Sequence, residues 1–514
     1  MKRQLEQLSD NEYDMLIIGG GIFGLIIAWD GALRGLSVAL IDKGDFGAAT
    51  SSNSLRIIHG GFRYLQSLDL INARRFLVEQ RVFMKLAPHL VKPMPVLIPI
   101  YGHNVLKTVS FKAALRIYDL LGATIKGFSD INYKEVDSRF VSRDECIEMV
   151  PNLKEDGLNG AILFNDCQLS NSERFAIEIA HSAFEAGAHL ANYVEALSLI
   201  IKDKKVKGAA VRDNLTGDKF EIRAKITVNS SGPWLNHLLS GIDNNSTING
   251  LGNSKAFNIL INRDLTNGYA LGLNTQIKNP DIAKLLSKSS RYLFITPWDG
   301  KSLIGTEHLP SDLEPDNFKV TREEISSFLE DINSSYPASS IQTEDVEYVY
   351  GGFIPTSSDS HGSYKIGIKD QIHDHEREQG LGGLLSVSGN KYTEARIVAE
   401  ESVDLIMNKI GKTFRPSMTE SATLDFGNFT KFQDSFNPGN NKDNLVSSQI
   451  VYAIKEEMAQ KLTDVIFRRM DINFDNVKSN LKQYSTIMAK ELNWDDSRIK
   501  VEEDEVVSKF TIFH

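Results

Sequence analysis

The chain has 514 residues, 41% hydrophobic and 24% charged, which suits a soluble globular protein with room for about three domains. Its net charge of -10 excludes a basic field for nucleic acid, and two cysteines, Cys146 and Cys167, exclude a disulfide framework and suit a reducing, cytoplasmic setting. No apolar run reaches the ~18 residues of a spanning helix, residues 1–11 carry no apolar signal segment, and no metal site is expected.

The first elements read as strand, glycine turn, helix, strand, acid. Met15-Leu16-Ile17-Ile18 is short enough for one buried strand. Gly19-Gly20-Gly21-Ile22-Phe23-Gly24 follows, then a helix through Ala32-Leu33-Arg34 to a glycine cap at Gly35. Ser37 to Asp42 is a second buried strand ending in an acid, 23 positions after Gly19 and near the roughly 20 expected for an acid that accepts a ribose hydroxyl. Together these form the βαβ dinucleotide fingerprint in its required context. Gly19 permits the tight turn, Gly21 lets backbone approach a pyrophosphate, Gly24 lets helix and strand pack closely, and the first helical N–H groups face the phosphates. The rival reading is a glycine turn in an ordinary βαβ unit. The stretch from Lys43 to Ser54, with Thr50-Ser51-Ser52, is a polar loop able to wrap a cofactor longer than NAD.

Further along, Leu68 to Ala87 has helical spacing and is ended by Pro88; Val96-Leu97-Ile98 is a strand among prolines; Phe111 to Gly122 and Glu145 to Leu153 read as helices. A strand over Gly160 to Leu169, a helix over Asn171 to Gly187 and a strand to Val194 precede a meander from Ala196 to Ile222. Lys225 to Asn229 is an apolar strand opening on the small-residue turn Ser230-Ser231-Gly232-Pro233-Trp234, a second place where backbone N–H groups approach a cofactor. The segments 256–273, 292–298 and 303–306 lack strand–helix alternation and read as an antiparallel sheet, one face packed and one open. Arg322 to Ser335 is a helix. Gly382 to Ser388 is a strand, and Gly389-Asn390-Lys391-Tyr392-Thr393 opens a helix running to Ile410, whose N-terminus suits a group that gains negative charge. A Ser/Thr/Asn/Gly/Pro-rich linker follows; Val446 to Phe467 is one amphipathic segment, and the acidic tail from Trp494 reads as solvated surface.

Several of these stretches, in order, resemble the FAD-dependent glycerol-3-phosphate dehydrogenases within the D-amino-acid-oxidase-like flavoproteins: the glycine turn, the Ala49-Thr50-Ser51-Ser52 stretch, His59-Gly60-Gly61-Phe62-Arg63-Tyr64-Leu65, Met84 to Pro95, Val228-Asn229-Ser230-Ser231-Gly232-Pro233-Trp234, and Gly389-Asn390-Lys391-Tyr392-Thr393. The resemblance covers about residues 13 to 470. It implies an α/β fold: a Rossmann-like FAD-binding domain (13–92, 155–240 and 364–412), an antiparallel-sheet substrate domain (93–154 and 241–363), a linker (413–443) and a small helical C-terminal domain (444–514). It implies FAD held by Gly19, Gly21, Ile22, Phe23, Gly24, Asp42, Lys43, Thr50, Ser51, Ser52, His59, Gly60, Gly61, Val194, Ser230, Ser231, Gly232, Trp234, Gly389, Asn390, Lys391, Tyr392 and Thr393. It implies oxidation of sn-glycerol 3-phosphate to dihydroxyacetone phosphate, with quinone or oxygen as acceptor, and it allows a peripheral contact at the inner face of the cytoplasmic membrane and a homodimer.

Oxidising a secondary alcohol needs a hydride acceptor, a base and charge anchors. His59, Arg63, Tyr64 and Lys391 are the candidates: His59 as the base or as a structural hydrogen bonder beside Gly60-Gly61, Arg63 as a bidentate anion partner or a structural ion pair, Lys391 as charge anchor. The chain departs from the family at Gly-x-Arg-Pro, which here reads Gly352-Phe353-Ile354-Pro355. Losing that bidentate contact should cost about 2–5 kcal/mol. His361, Lys365 or Lys369 could compensate, though lysine lacks the planar fork. Two alternatives follow: the same flavin chemistry on a less charged polyol, sugar derivative, hydroxy acid or amine, or an FAD-binding protein without turnover.

Overall fold

The computed structural model describes residues 1–65, 68–102, 105–123, 125, 136–242, 247–248, 250–358, 364–366, 371–424, 442–470 and 476–510, without the side chains of Arg63, 105–111, Ser358, Tyr364 and 442–444. In chain order the strands are β1 (Glu12–Ile18), β2 (Val38–Ile41), β3 (Ile57–Ile58), β4 (Val91–Tyr101), β5 (Arg139–Val141), β6 (Leu158–Leu169), β7 (His189–Ala191), β8 (Val194–Lys202), β9 (Lys205–Asp213), β10 (Lys219–Asn229), β11 (Leu251–Ile261), β12 (Ala270–Gln276), β13 (Ser290–Trp298), β14 (Lys301–Pro310), β15 (Val346–Ser358), β16 (Tyr364–Ile366), β17 (Ile372–Asp374) and β18 (Leu384–Val387).

They form two sheets. The first runs β17-β18-β10-β1-β2-β7, with β9 and then β8 added beside β10. Its β18, β10, β1, β2 and β7 are parallel, so both faces must be covered. Met15, Ile17, Val38 and Leu40 pack on the helices Ile22–Leu33, Ser172–Glu185 and Ala395–Lys409, while Leu16, Ile18, Ala39 and Ile41 pack on the β8–β9 meander and Leu8. That double burial is why these strands read as unbroken apolar runs. Ile17 is fully buried, so Ile17→Ala should cost about 2–5 kcal/mol.

The second sheet runs β16-β15-β11-β14-β13-β12-β4-β6-β3, with β5 beside β6, and is antiparallel except where β4 meets β12. β6, grouped by sequence with the cofactor domain, pairs with β4 along its length in this sheet. The strand expected at Val96–Ile98 extends through Pro93, Pro95 and Pro99. These prolines share parity, so the donors they remove lie along one edge, and there β12 pairs only with Val96 and Leu97.

One face of the second sheet (Phe257, Ile259, Leu271, Leu293, Ile295, Ile304) packs on the helix Arg322–Ser335, whose Thr321–Glu324 capping box fixes its start. The opposite face looks toward residues 50–61: Asn258 Nδ2 donates to the Asn53 carbonyl (3.1 Å), and Phe294 lies 6.0 Å from the His59 ring. The antiparallel sheet with one packed face is as expected; its other face is covered by the helix Val105–Ala123 at β4, β6 and β12 and turns toward residues 50–61 at β11 and β13.

The C-terminal unit is helical, as expected, and corrects one expectation. The amphipathic segment 446–467 spans two helices, Lys442–Glu456 and Leu462–Arg468, separated by Met458 at φ 58°, and Asp464 accepts from the Gln460 and Lys461 N–H groups at the second helix start. The acidic tail is not simply solvated. Asp495 caps the helix Asp496–Lys509, which packs with Val477–Leu492, and buried Glu502 accepts the Leu462 N–H at 2.8 Å. Burial raises the Glu502 pKa, opposed by that N–H.

Candidate active site

The glycine turn is dictated by close backbone approach. Gly19 has φ 110°, and a Cβ there would sit 2.5 Å from the Ser230 carbonyl oxygen. A Cβ on Gly24 would sit 1.9 Å from the Gly19 oxygen. Gly21 precedes the Ile22–Leu33 helix and has no side chain to cap it; Ser51 Oγ takes the Ile22 N–H (3.0 Å), and the positive helix start still faces the cradle, where an anion is favoured. Phe23 packs over Gly389, where a Cβ would fall 2.0 Å from its ring.

Asp42 has two tasks. Its Oδ2 accepts from Gly20 N–H (2.7 Å) and its Oδ1 from Gly44 N–H (2.8 Å), bracing the turn. Crowding raises its pKa against those two N–H groups. Each oxygen keeps a further lone pair, so the expected ribose contact remains chemically open. Val194, expected beside adenine, donates its N–H to the Asp42 carbonyl (2.7 Å). Lys43 turns outward: its Nζ pairs with Asp316 (2.6 Å) and lies 4.0 Å over the Trp234 ring.

The hydroxyl stretch stitches three segments together. Thr50 Oγ1 donates to the Phe353 carbonyl (2.8 Å), Ser51 Oγ accepts the Ile22 N–H (3.0 Å), Ser52 Oγ donates to the Gly47 carbonyl, and the Tyr392 hydroxyl donates to the Ser51 carbonyl. Ser230 Oγ donates to the Gly19 carbonyl (2.9 Å) and Ser231 Oγ to Asn229 Oδ1 (2.6 Å); Gly232, at φ 57°, starts the Gly232–Trp234 turn. Thr393 is buried, and Asn390 is half-buried. Two strand ends, one loop and one helix entrance thus converge on a single cradle.

Beside it lies a proton-handling group. His59 Nδ1 is 2.9 Å from Asp166 Oδ2, while Asp166 Oδ1 accepts from Gly60 N–H (2.6 Å) and Gln80 Nε2 (2.6 Å). A carboxylate only accepts, so it fixes the proton on Nδ1 and leaves Nε2 with a lone pair. The His59 side chain is 43% exposed. Gly60 and Gly61 leave no room for a side chain: a Cβ would fall 2.0 Å from the Tyr118 hydroxyl at Gly60 and 2.8 Å from Phe76 Cβ at Gly61. Lys391 Nζ donates to the Tyr64 hydroxyl (2.8 Å), lies 4.7 Å over the Phe76 ring and stays 39% exposed. Its helix is anchored by Arg396, which grips buried Glu79 through Nε (2.7 Å) and Nη2 (2.5 Å). Arg63 falls on the helix Phe62–Leu65, and its side chain lies outside the described residues.

The open sheet face forms the opposing wall. Thr306 Oγ1 donates to Asn258 Oδ1 (2.8 Å), and Gly352 sits where a Cβ would meet Thr50 Oγ1 at 3.0 Å. Strand alternation puts His308 with Ala256 and Ile354 with Gly352 on this face. Ile354 is half-buried and carries no charge. Burial and then the Arg291 charge push His308 down to about 3, and its Nδ1 is buried with no hydrogen-bond partner among the described residues. Of the residues named as compensating for the missing arginine, Lys365 is exposed on β16, and His361 and Lys369 lie outside the described residues. Sequence reading missed Asp166, Gln80, Asn258 and Thr306 as site residues; all four lie in stretches read as helix or strand, and none of those stretches carries a local signal for a site.

The cradle fits FAD: glycines that admit a backbone-close pyrophosphate, a helix start whose dipole faces it and an acid with lone pairs to spare. The family model described as FAD dependent oxidoreductase matches residues 14–405, and the C-terminal domain of alpha-glycerophosphate oxidase matches 423–499. A glycerol-3-phosphate dehydrogenase of Synechocystis sp. is 31% identical over 82% of this chain and 75% of its own, and an aerobic glycerol-3-phosphate dehydrogenase of Staphylococcus aureus is 28% identical over 98% and 95%. Among solved structures, the Bacillus halodurans glycerol-3-phosphate dehydrogenase complexed with FAD superposes with TM-score 0.76 at 22% identity, covering 99% of this chain and 96% of that one. An L-alpha-glycerophosphate oxidase from Mycoplasma pneumoniae with FAD bound gives TM-score 0.55 at 14% identity over 81% and 100%. The chain belongs to the FAD-dependent oxidoreductase family; it is an enzyme, and FAD is its cofactor.

Proposed function

We propose that this flavoenzyme oxidises sn-glycerol 3-phosphate to dihydroxyacetone phosphate and passes the electrons to quinone or oxygen. The observation that carries the reading is the His59–Asp166 pair, a base of fixed tautomer on the same short segment, residues 59–64, whose Tyr64 holds Lys391. FAD, when bound, supplies the hydride acceptor. His59 Nε2 takes the proton of the secondary hydroxyl, and Asp166 stabilises the imidazolium that results. Lys391 offers a partly exposed ammonium to the substrate's negative end, and Tyr64 fixes where that ammonium sits. Gly60 and Gly61 bring backbone close to the reacting centre. The names and whole-length similarity of the relatives support this substrate. On this reading the protein works in the cytoplasm as a homodimer and meets quinone at the inner face of the membrane. Among the described residues no helix is long and apolar enough to cross a membrane, so the contact would be peripheral.

Ile354 favours a second reading, the same chemistry on a less charged polyol. Anaerobic absorbance of the flavin band, titrated with sn-glycerol 3-phosphate beside glycerol and a hydroxy-acid panel, separates the two. Bleaching by glycerol 3-phosphate alone, at the sub-millimolar level usual for a KM, is expected. Bleaching by glycerol with equal ease would favour the second reading, and a band that none of them bleaches would overturn both.

A further inference from the structure

Residues 42–46 and 192–194, the two segments that flank the adenosine end of the cradle, are held from behind by the C-terminal helical unit. They first bind each other: Val194 N–H donates to the Asp42 carbonyl (2.7 Å) and Tyr193 N–H to the Gly44 carbonyl (2.9 Å). Arg468 Nε (2.6 Å) and both Arg469 Nη atoms (2.5 and 2.8 Å) then donate to the Asp45 carboxylate, and Asn192 Nδ2 bridges Asp45 (2.8 Å) to the Met458 carbonyl (2.9 Å). Arg468 Nη2 and the Tyr193 hydroxyl share Asp464 Oδ1, each at 2.6 Å. The side chains of Asp45, Asp464 and Arg469 are fully buried. Burial works to raise Asp45, and the two guanidiniums overcome it, leaving the carboxyl below its ordinary range.

A buried ion pair adds little net stability over an apolar contact, but it fixes geometry, because a buried charge has no alternative partner. Two other contacts dock the same unit: the Glu457 carboxylate with Arg174 (2.6 Å) and the Glu456 carbonyl with the Met1 amino group (2.6 Å). Arg469 also holds the Glu457 carbonyl through Nε (3.1 Å) and Nη2 (2.8 Å), so docking and bracing meet at the Glu457 backbone and separate only at its side chain. We propose that Arg468 and Arg469 are positioning residues for the cofactor: through Asp45 they hold the 42–46 loop in the shape that retains the ADP half of FAD, so the C-terminal unit sets FAD affinity.

The test uses the full chain, stripped of FAD and reconstituted, with flavin fluorescence giving the FAD Kd and thermal unfolding of the apoprotein giving stability. Arg469→Gln is expected to raise the FAD Kd at least tenfold, and Arg469→Lys to fall between it and wild type. Glu457→Gln, which removes the charge facing Arg174 and keeps the backbone carbonyl that Arg469 holds, is expected to lower the apoprotein Tm while leaving the Kd within twofold. Should Arg469→Gln fail to accumulate, Asp45→Asn carries the same expectation for the Kd. An unchanged Kd in a folded Arg469 or Asp45 variant overturns the proposal, as does a Glu457→Gln Kd that rises in step with its loss of Tm.

Discussion

The two walls of the active site are built by opposite means. The cofactor wall is backbone: Gly19, Gly24 and Gly389 are positions where a Cβ would fall within 2.5 Å of another atom, and the hydroxyls of Thr50, Ser51 and Ser230 bond main-chain groups. The substrate wall is side chains standing on β11, β14 and β15, with Asn258, Thr306, His308 and Ile354 supplied by strands that loops and a helix separate in sequence. A wall made of backbone tolerates little change, because each glycine answers to one steric limit. A wall made of side chains can be rewritten one residue at a time, and here the uncharged Ile354 stands where the resemblance leads one to expect an arginine.

Gly24→Ala attacks the first wall at its tightest point. The added methyl must displace the Gly19 carbonyl from 1.9 Å, so the cost should reach about 3 kcal/mol, the top of the overpacking range, and the holoprotein should be lost. The ratio of protein to flavin absorbance after purification checks this; a normal yellow protein would mean the cradle is looser than its geometry. His59→Gln comes next. Loss of the base should lower kcat about 10²–10⁴-fold with FAD content unchanged. Asp166→Asn, which keeps the imidazole but not its orientation, should lose less, about 10–100-fold. A double variant no slower than His59→Gln would mean that Asp166 acts through His59, and an additive loss would mean that it acts directly.

The same contrast governs what could be read from the chain alone. Each glycine motif lies within a few residues of the strand it ends and the helix it opens, so a local pattern carried both fold and cofactor. Asp166 lies 107 positions from His59 and meets it only because β3 pairs with β6, a pairing no local pattern contains. β6 was grouped with the wrong sheet for the same reason: its apolar run fits either. In the C-terminal unit, Met458 at positive φ breaks a periodicity that reads as continuous, and Glu502 is buried because it caps the Leu462–Arg468 helix from a distant segment. Acid content alone predicts solvent.

The second wall is sharpened by restoring what it lacks. Ile354→Arg should lower the KM for sn-glycerol 3-phosphate about tenfold, worth ~1.4 kcal/mol, while kcat stays level, because an anion anchor acts on ground state and transition state alike. Steady-state kinetics with that substrate and with glycerol read the effect. An unchanged KM would mean that the substrate's negative end rests against Lys391 and never reaches β15.

The smallest expected effect concerns the charge state of that wall. His308, held down to about 3 by burial and the Arg291 charge, stays neutral when folded, whereas the unfolded chain takes up this proton as pH falls below about 6.5. The folded state is thus fully favoured above pH 6.5 and loses stability progressively from there toward pH 3, with the unfolded state binding the extra proton. His308→Asn removes this one contribution and leaves every other titrating group in place. Urea midpoints at pH 7 and pH 5 should differ less in the variant than in wild type, by about 1–2 kcal/mol. Parallel profiles would mean that His308 takes up a proton in the folded protein as readily as in the unfolded chain. The wall would then hold a cation on the same sheet face as Ile354, one strand across β11, at mildly acid pH, and a pH-dependent anion anchor would show as a KM for glycerol 3-phosphate that falls as pH falls.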